Sequence, residues 1–147
     1  MAIHNILTVC TGNICRSPMA QALLAAALPH CEVTSAGLAA AVGLPVDATA
    51  REVLADHGLD IADHRARDID QTLCKRADLI LVMEHEQRRA LQERFPFTHG
   101  KVFRLCEAQG LDVPDPYLHD RRAFEHSFAL IDGGSRTWAR RISRIDA

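Results

Sequence analysis

The longest unbroken run of large apolar residues, alanine set aside, is Leu79-Ile80-Leu81-Val82-Met83, and it narrows the choice of fold more than any other segment. It has the length of a strand and falls far short of a membrane span, which takes about 20 residues. A strand with no polar residue on either face is buried on both, as in parallel sheets covered by helices on each side. The surrounding pattern agrees. Strands are predicted over residues 3–9, 32–35, 78–83 and 101–105, alternating with helices over 17–28, 47–57, 70–76, 84–95 and 120–144. Asp47 is the predicted cap of the second helix and Gly58 its terminator, while Pro96 stops the helix before it. Gly133-Gly134 falls inside the last helix and costs about 1 kcal/mol per glycine relative to alanine, which predicts a kink or break there. Strands alternating with helices give an α/β fold: a doubly wound, four-stranded parallel sheet with right-handed crossovers and helices on both faces. At 147 residues, without repeat or linker, the chain reads as one domain over 1–147.

Composition excludes several classes of function. The apolar fraction of 48%, charged fraction of 24% and net charge of −2 belong to an ordinary water-soluble domain, with no global attraction to nucleic acid and no segment for membrane insertion. The start, Met1-Ala2-Ile3-His4-Asn5, lacks the basic residues and apolar core of a secretory signal. Five cysteines, an odd number, fit free thiols in a reducing compartment, so the expected address is the cytoplasm.

Chemistry is concentrated where the first strand meets the first helix. There the chain reads Cys10-Thr11-Gly12-Asn13-Ile14-Cys15-Arg16-Ser17-Pro18. Ser17 is the expected capping hydroxyl and Pro18 suits a first helical turn. The N–H groups at a helix start lack helical partners, and the dipole favours negative charge, so an anion is the natural occupant of this loop. A thiol in that field ionises readily, and an arginine at its edge can grip a tetrahedral oxyanion through paired hydrogen bonds. C-x5-R alone is a weak pattern. Its place at a strand-to-helix turn, with a glycine and an asparagine able to turn left-handed, sharpens it into a candidate for cleaving phosphate esters.

Such cleavage needs a proton donor for the leaving oxygen. Asp115, in Val113-Pro114-Asp115-Pro116-Tyr117, is the candidate. Its flanking prolines hold the segment out of helix and sheet, and it follows the fourth strand, placing it on the sheet edge where ligands of such folds bind. The bland alternative is a rigid turn with its aspartate in water.

Taken together, Val9 to Pro18, Thr34-Ser35-Ala36-Gly37, Asp63-His64-Arg65-Ala66-Arg67, Leu79 to Met83 and Asp115-Pro116-Tyr117 resemble the low-molecular-weight protein tyrosine phosphatases in order and spacing, over essentially the whole chain. The nearest branch is the bacterial one that works beside tyrosine autokinases in capsule or exopolysaccharide export. The resemblance implies Cys10 as nucleophile, forming a cysteinyl-phosphate, with Arg16 and the amides of Thr11, Gly12, Asn13, Ile14, Cys15 and Ser17 binding phosphate. It implies Asp115 as general acid and then base, Ser17 as donor to the thiolate, and Asn13 as a brace of the loop. It implies no cofactor and no metal, and a phosphotyrosine protein, a tyrosine autokinase, as partner. Tyr117 is one wall of the implied cleft. The other falls at Ala41, where many relatives have a bulkier residue, and Leu118 replaces the second tyrosine of eukaryotic relatives.

Cys15 beside the nucleophile suggests a reversible Cys10–Cys15 disulfide under peroxide, or simply a packed thiol. Cys31, Cys74 and Cys106 are expected to be buried structural thiols. Among the eight histidines none has metal-ligand spacing apart from His85 on a charged helix, and no metal site is expected. His64 lies either near the active loop or elsewhere on surface or core. Trp138 is expected to anchor the last helix. An arsenate reductase on the same fold is the rival enzyme, but its relay cysteines are missing from Met83-Glu84-His85-Glu86-Gln87. A non-catalytic phosphotyrosine-binding module would need a damaged nucleophile or acid. A dinucleotide-binding domain would need G-x-G-x-x-G in the first turn.

Overall fold

A computed structural model describes residues 2–146. Four strands, β1 (Asn5–Cys10), β2 (Glu32–Gly37), β3 (Leu79–Val82) and β4 (Val102–Arg104), form one parallel sheet in the order β2-β1-β3-β4. The helices are α1 (Arg16–Ala27), α2 (Ala48–Asp56), α3 (Gln71–Arg76), α4 (His85–Arg94) and α5 (Arg121–Asp146), with a short 3-10 turn at Pro96–Thr98. The chain winds from β1 outward to β2, then returns past β1 to β3 and β4. The winding direction therefore reverses beside β1, and ligands of open α/β sheets bind at such a switch point.

Alternation along the strands builds two cores, one on each side of the sheet. Ile6, Leu79, Leu81 and Met83 face a layer that includes Met19 and Leu24 of α1, Val53 and Leu54 of α2, and Phe124 and Phe128 of α5. Leu7, Val9, Ile80 and Val82 face the opposite layer, with Cys74 of α3 and Leu91 of α4. All four residues of β3 are buried, as its unbroken apolar run predicts. Asp47 caps α2, accepting from Thr49 N and Ala50 N. Gly58, at φ 74°, follows the end of that helix in the left-handed conformation that glycine adopts without strain.

Three local expectations are corrected. The last helix runs unbroken from Arg121 to Asp146 through Gly133-Gly134. A Cβ on Gly134 would lie 2.8 Å from the carbonyl oxygen of Leu105 and 3.0 Å from Cys106 Sγ. Close helix-to-loop packing, rather than a kink, therefore calls for glycine there. Four residues later Trp138 donates its indole N–H to the same Leu105 carbonyl at 2.9 Å, anchoring the helix as expected. Ser17 is not the cap of α1. Cys15 holds that position and makes no side-chain cap bond, and the Ser17 hydroxyl is engaged with Cys10 and Asn13. Cys74 and Cys106 are buried, but Cys31 is only half-buried, being at the start of the edge strand β2.

Candidate active site

Cys10 is the last residue of β1 and Arg16 the first of α1, so the intervening loop spans the carboxyl edge of the sheet. Cys10 Sγ lies 2.9 Å from Ser17 Oγ and accepts the Asn13 N–H at 3.3 Å. Asn13 is fully buried and stands at φ 59°, a left-handed conformation that asparagine tolerates better than most side chains. Its amide nitrogen donates to Ser17 Oγ at 2.8 Å and to Ser35 Oγ at 3.0 Å, while its Oδ1 accepts the Arg67 N–H at 3.0 Å. Ser35 in turn donates to Gln21 Oε1 at 2.7 Å. The direction of this chain follows from its ends. Ser17 Oγ already accepts from Asn13, so its own proton is free to point at the Cys10 sulfur. His64 Nε2 stands 2.7 Å from the Asn13 carbonyl oxygen. A carbonyl only accepts, so Nε2 carries the proton. Burial lowers the His64 pKa below its ordinary value.

Arg16 is almost wholly enclosed, its side chain 3% exposed. Nη1 donates to Glu84 Oε2 at 3.1 Å and to the Val113 carbonyl at 2.8 Å. These acceptors, just before α4 and in the loop before α5, fix the plane of the guanidinium. Nη2 comes within 3.8 Å of Asp115 Oδ2. Asp115 is half-exposed, and its Oδ1 accepts the Tyr117 N–H at 3.1 Å. This loop is tied down at both ends: Val113 N–H bonds the Met83 carbonyl at 2.9 Å, and Ser127 Oγ donates to the Pro114 carbonyl at 2.8 Å.

The enclosed space is a cleft of about 290 Å³. Cys10, Thr11 and Gly12 contribute to one side of it. Ala39, Ala40 and Ala41 line another, with Asp115 and Tyr117 completing the boundary. The alanine wall is stitched to the loop by main-chain bonds, from Leu38 N to Cys10 O, Ala39 N to Thr11 O and Ala41 N to Gly12 O, each 3.0 Å long. That approach needs Gly37, because a Cβ there would stand 2.5 Å from the Thr11 carbonyl oxygen. Cys15 is buried within the same loop, and desolvation, followed by the charge of Asp47, pushes its thiol pKa up.

The structure thus gathers Cys10, Arg16, Asp115, Ala41 and Tyr117 around one cleft and puts His64 against the loop. It also recruits residues not singled out from the sequence. Glu84 holds Arg16. Gln87 accepts the Met83 and Glu84 N–H groups on Oε1 and donates from Nε2 to Thr11 Oγ1 at 3.1 Å. Gln21 and Ser35 back the loop asparagine. The one available signal was position, since Glu84 directly follows β3 on the ligand-binding edge.

The family described as low molecular weight phosphotyrosine protein phosphatase matches residues 5–146. A probable low molecular weight protein-tyrosine-phosphatase, EpsP, of Ralstonia solanacearum is 52% identical over 97% of this chain and 99% of its own length. The low molecular weight protein-tyrosine-phosphatase Wzb of Escherichia coli K12 is 42% identical over 95% of this chain and 96% of its own. Among solved structures, Vibrio vulnificus Wzb in complex with benzylphosphonate superposes with a TM-score of 0.93, at 39% identity, over 95% of this chain and 99% of that one. Extent of match, identity and shared architecture agree, and the chain belongs to the low molecular weight phosphotyrosine protein phosphatases, a family of protein-tyrosine phosphatases.

Proposed function

We propose that residues 1–147 act as one phosphatase domain that hydrolyses phosphotyrosine through a cysteinyl-phosphate, with Cys10, Arg16 and Asp115 as the reacting set. The observation carrying this reading is their convergence on one cleft: a cysteine sulfur with a hydroxyl donor 2.9 Å away, an enclosed guanidinium, and a carboxyl 3.8 Å from that guanidinium. The Cys10 thiolate attacks phosphorus, forming the S–P bond as the bond to the phenolic oxygen breaks. Protonated Asp115 gives its proton to that leaving oxygen. Its carboxylate then takes a proton from water attacking the phosphocysteine, the S–P bond breaks, and inorganic phosphate leaves. Arg16 and the loop N–H groups neutralise charge on the equatorial oxygens, in positions set before substrate arrives. Because Glu84 and Val113 occupy Nη1, the remaining guanidinium donors are the ones turned to phosphate. Apolar Ile14 and Ala39 to Ala41, with Tyr117, suit a flat aromatic ring above the phosphate. The benzylphosphonate held by the Vibrio vulnificus relative, a phosphonate on an aromatic group, supports such a ligand.

The physiological target in this reading is a tyrosine autokinase of polysaccharide export, supported by the resemblance to the bacterial branch, and the site of action is the cytoplasm. No helix of the described residues is long and apolar enough to cross a membrane. Cys15 serves as a protective partner. Peroxide converts the Cys10 thiolate to a sulfenic acid, and the Cys15 thiol condenses with it to a disulfide, releasing water. The arsenate reductase reading is not favoured: the segment just after β3, Met83 to Gln87, holds no cysteine, and Cys74 and Cys106 are buried in the helix-packed cores.

The test is phosphate release from phosphotyrosine and phosphoserine peptides, without added metal, by the unmodified chain and Cys10→Ser. Release from phosphotyrosine alone, abolished in the variant, supports the reading. Release that persists in Cys10→Ser, or none from either peptide by a folded protein, refutes it.

A further inference from the structure

Leu118 has the most exposed large apolar side chain among the described residues, at 86%, and its φ is 67°. It occupies the third position of a turn closed by the His119 N–H on the Pro116 carbonyl at 2.9 Å. Glycine or asparagine suits a left-handed residue at that position, and leucine is strained there. Neither property serves the fold. The backbone is strained and the side chain buries almost nothing, so a role outside folding accounts for a leucine here.

Its location suggests the role. Leu118 adjoins Tyr117, which lines the cleft, and the turn is pinned to the acid loop by the Tyr117 N–H on Asp115 Oδ1. On the alanine side, Ala41 lines the same cleft and is followed by Val42 and Leu44, 65% and 51% exposed. These residues project from their own tight turn, closed by Leu44 N–H on the Ala41 carbonyl at 3.1 Å, with Gly43 at φ 87°. Exposed aliphatic side chains therefore flank a cleft whose base is polar. A phosphotyrosine entering phosphate-first leaves its main chain at the mouth, so residues beside it in the peptide pass over these lips.

We propose that Leu118, with Val42 and Leu44 opposite, forms an apolar lip that selects phosphotyrosine sites flanked by an apolar side chain. The inference rests on the phosphotyrosine reading above and adds a substrate preference to it. The occupant follows from continuity with the cleft: whatever fills the cleft as part of a protein chain must cross these residues. Burying one leucine against them corresponds to about a ten-fold preference.

The experiment measures kcat/KM for two phosphotyrosine peptides of equal length, flanked by leucine or by serine, and for p-nitrophenyl phosphate, which has no flanks. The unmodified chain is compared with Leu118→Gly and Leu118→Asn, both compatible with a positive φ. The expected result is about a ten-fold preference for the leucine-flanked peptide that both variants lose. The serine-flanked peptide and p-nitrophenyl phosphate stay unchanged, and melting temperatures do not fall. Equal loss on all three substrates, or no preference in the unmodified chain, overturns the lip while leaving the phosphatase reading intact. Concentration-dependent dimerisation that both variants abolish, without any change in peptide preference, overturns it in favour of a second copy as occupant. No turnover of any of the three by the unmodified chain overturns both inferences.

Discussion

Asn13 should have the most consequential side chain of the loop apart from those that meet substrate. Its buried side chain makes three hydrogen bonds, to Ser17, to Ser35 and from the Arg67 N–H. At roughly 1 kcal/mol net per bond, truncation costs about 3 kcal/mol. Its φ of 59° adds about 1 kcal/mol for alanine, which asparagine largely and glycine wholly avoids. Asn13→Ala is therefore expected to lose about 4 kcal/mol and Asn13→Gly about 3 kcal/mol. For a domain of this size that lowers the melting temperature by about 8–16 °C in Asn13→Ala and about 6–12 °C in Asn13→Gly. The order of the two variants is the sharper test, because in a helix interior alanine beats glycine by about 1 kcal/mol. Urea unfolding with a shared m-value reads both numbers. A loss under 1 kcal/mol in Asn13→Ala, or glycine less stable than alanine, would refute the account of how the loop is held. Asn13→Asp separates stability from chemistry. It retains an acceptor for Arg67 N–H but demands protons from both serines, turning the Ser17 proton away from the Cys10 sulfur. Hydrogen bonds to charged groups contribute about 1.5–3 kcal/mol, so phosphotyrosine turnover should fall about 10- to 100-fold. Unchanged turnover would refute the proton direction drawn from Ser17 to Cys10.

Asp115→Asn should lower kcat/KM for phosphotyrosine, a poor leaving group, by about 100-fold or more while sparing kcat/KM for p-nitrophenyl phosphate, whose phenolate leaves without a proton; equal loss of kcat/KM on both would count against the acid role. Peroxide inactivation should be reversed by dithiol in the unmodified chain and become irreversible in Cys15→Ser, as read by recovered turnover. In His64 burial lowers the folded pKa beneath the ordinary 6.5, so the unfolded chain binds the proton more readily. Stability is then full above that value and is lost as pH falls from about 6.5 toward the depressed folded value. His64→Gln, which can still donate to the Asn13 carbonyl, should flatten that loss in urea titrations between pH 7 and pH 5. Gly133→Ala, with open space around its Cβ, should stabilise α5 by up to about 1 kcal/mol, whereas Gly134→Ala should destabilise the protein against the Leu105 carbonyl, both read by thermal unfolding.

What could be read from the chain was what one short segment carries by itself. Cys10 to Arg16 holds a thiol, two turn-forming residues and a guanidinium within one strand-to-helix connection, and the prolines around Asp115 announce a fixed loop without any partner in view. The run from Leu79 to Met83 states its burial through composition alone. What stayed hidden depends on pairs far apart in the chain. An acidic residue at a helix start reads as a cap complementing the dipole, and nothing in Glu84 itself indicates a guanidinium 68 positions earlier. Gln87 reads as an ordinary polar helix residue, yet it is buried against Thr11. Gly133-Gly134 shows why propensity misleads in such cases. The same residue type that weakens an isolated helix is what allows two segments to touch, and only the packed structure distinguishes the two causes.

The site depends on the sheet register as well as on its residues. Val9 pairs with Val82 across the β1–β3 ladder, so Cys10 and Met83 leave the sheet side by side at the same height. The next residues on the β3 side are therefore Glu84 and, one helical turn on, Gln87. Glu84 reaches Arg16 at the far end of the loop, while Gln87 reaches Thr11 at its near end. Glu84, which caps α4, and Gln87, in its first turn, thus hold both ends of the loop from Cys10 to Arg16. The Val113 N–H, bonded to the Met83 carbonyl, brings the Asp115 loop to the same edge, and the Val113 carbonyl returns as the second acceptor for Arg16. A slip of one residue in β3 would turn its side chains to the opposite faces and would also carry Glu84, Gln87 and the Met83 carbonyl away together. The polar residues that bound the buried run, Asp78 before it and Glu84 after Met83, oppose that slip, because it would draw one of them into the core. The apolar run that directs the fold therefore also keeps Arg16 and the Asp115 loop on the cleft that Cys10 lines.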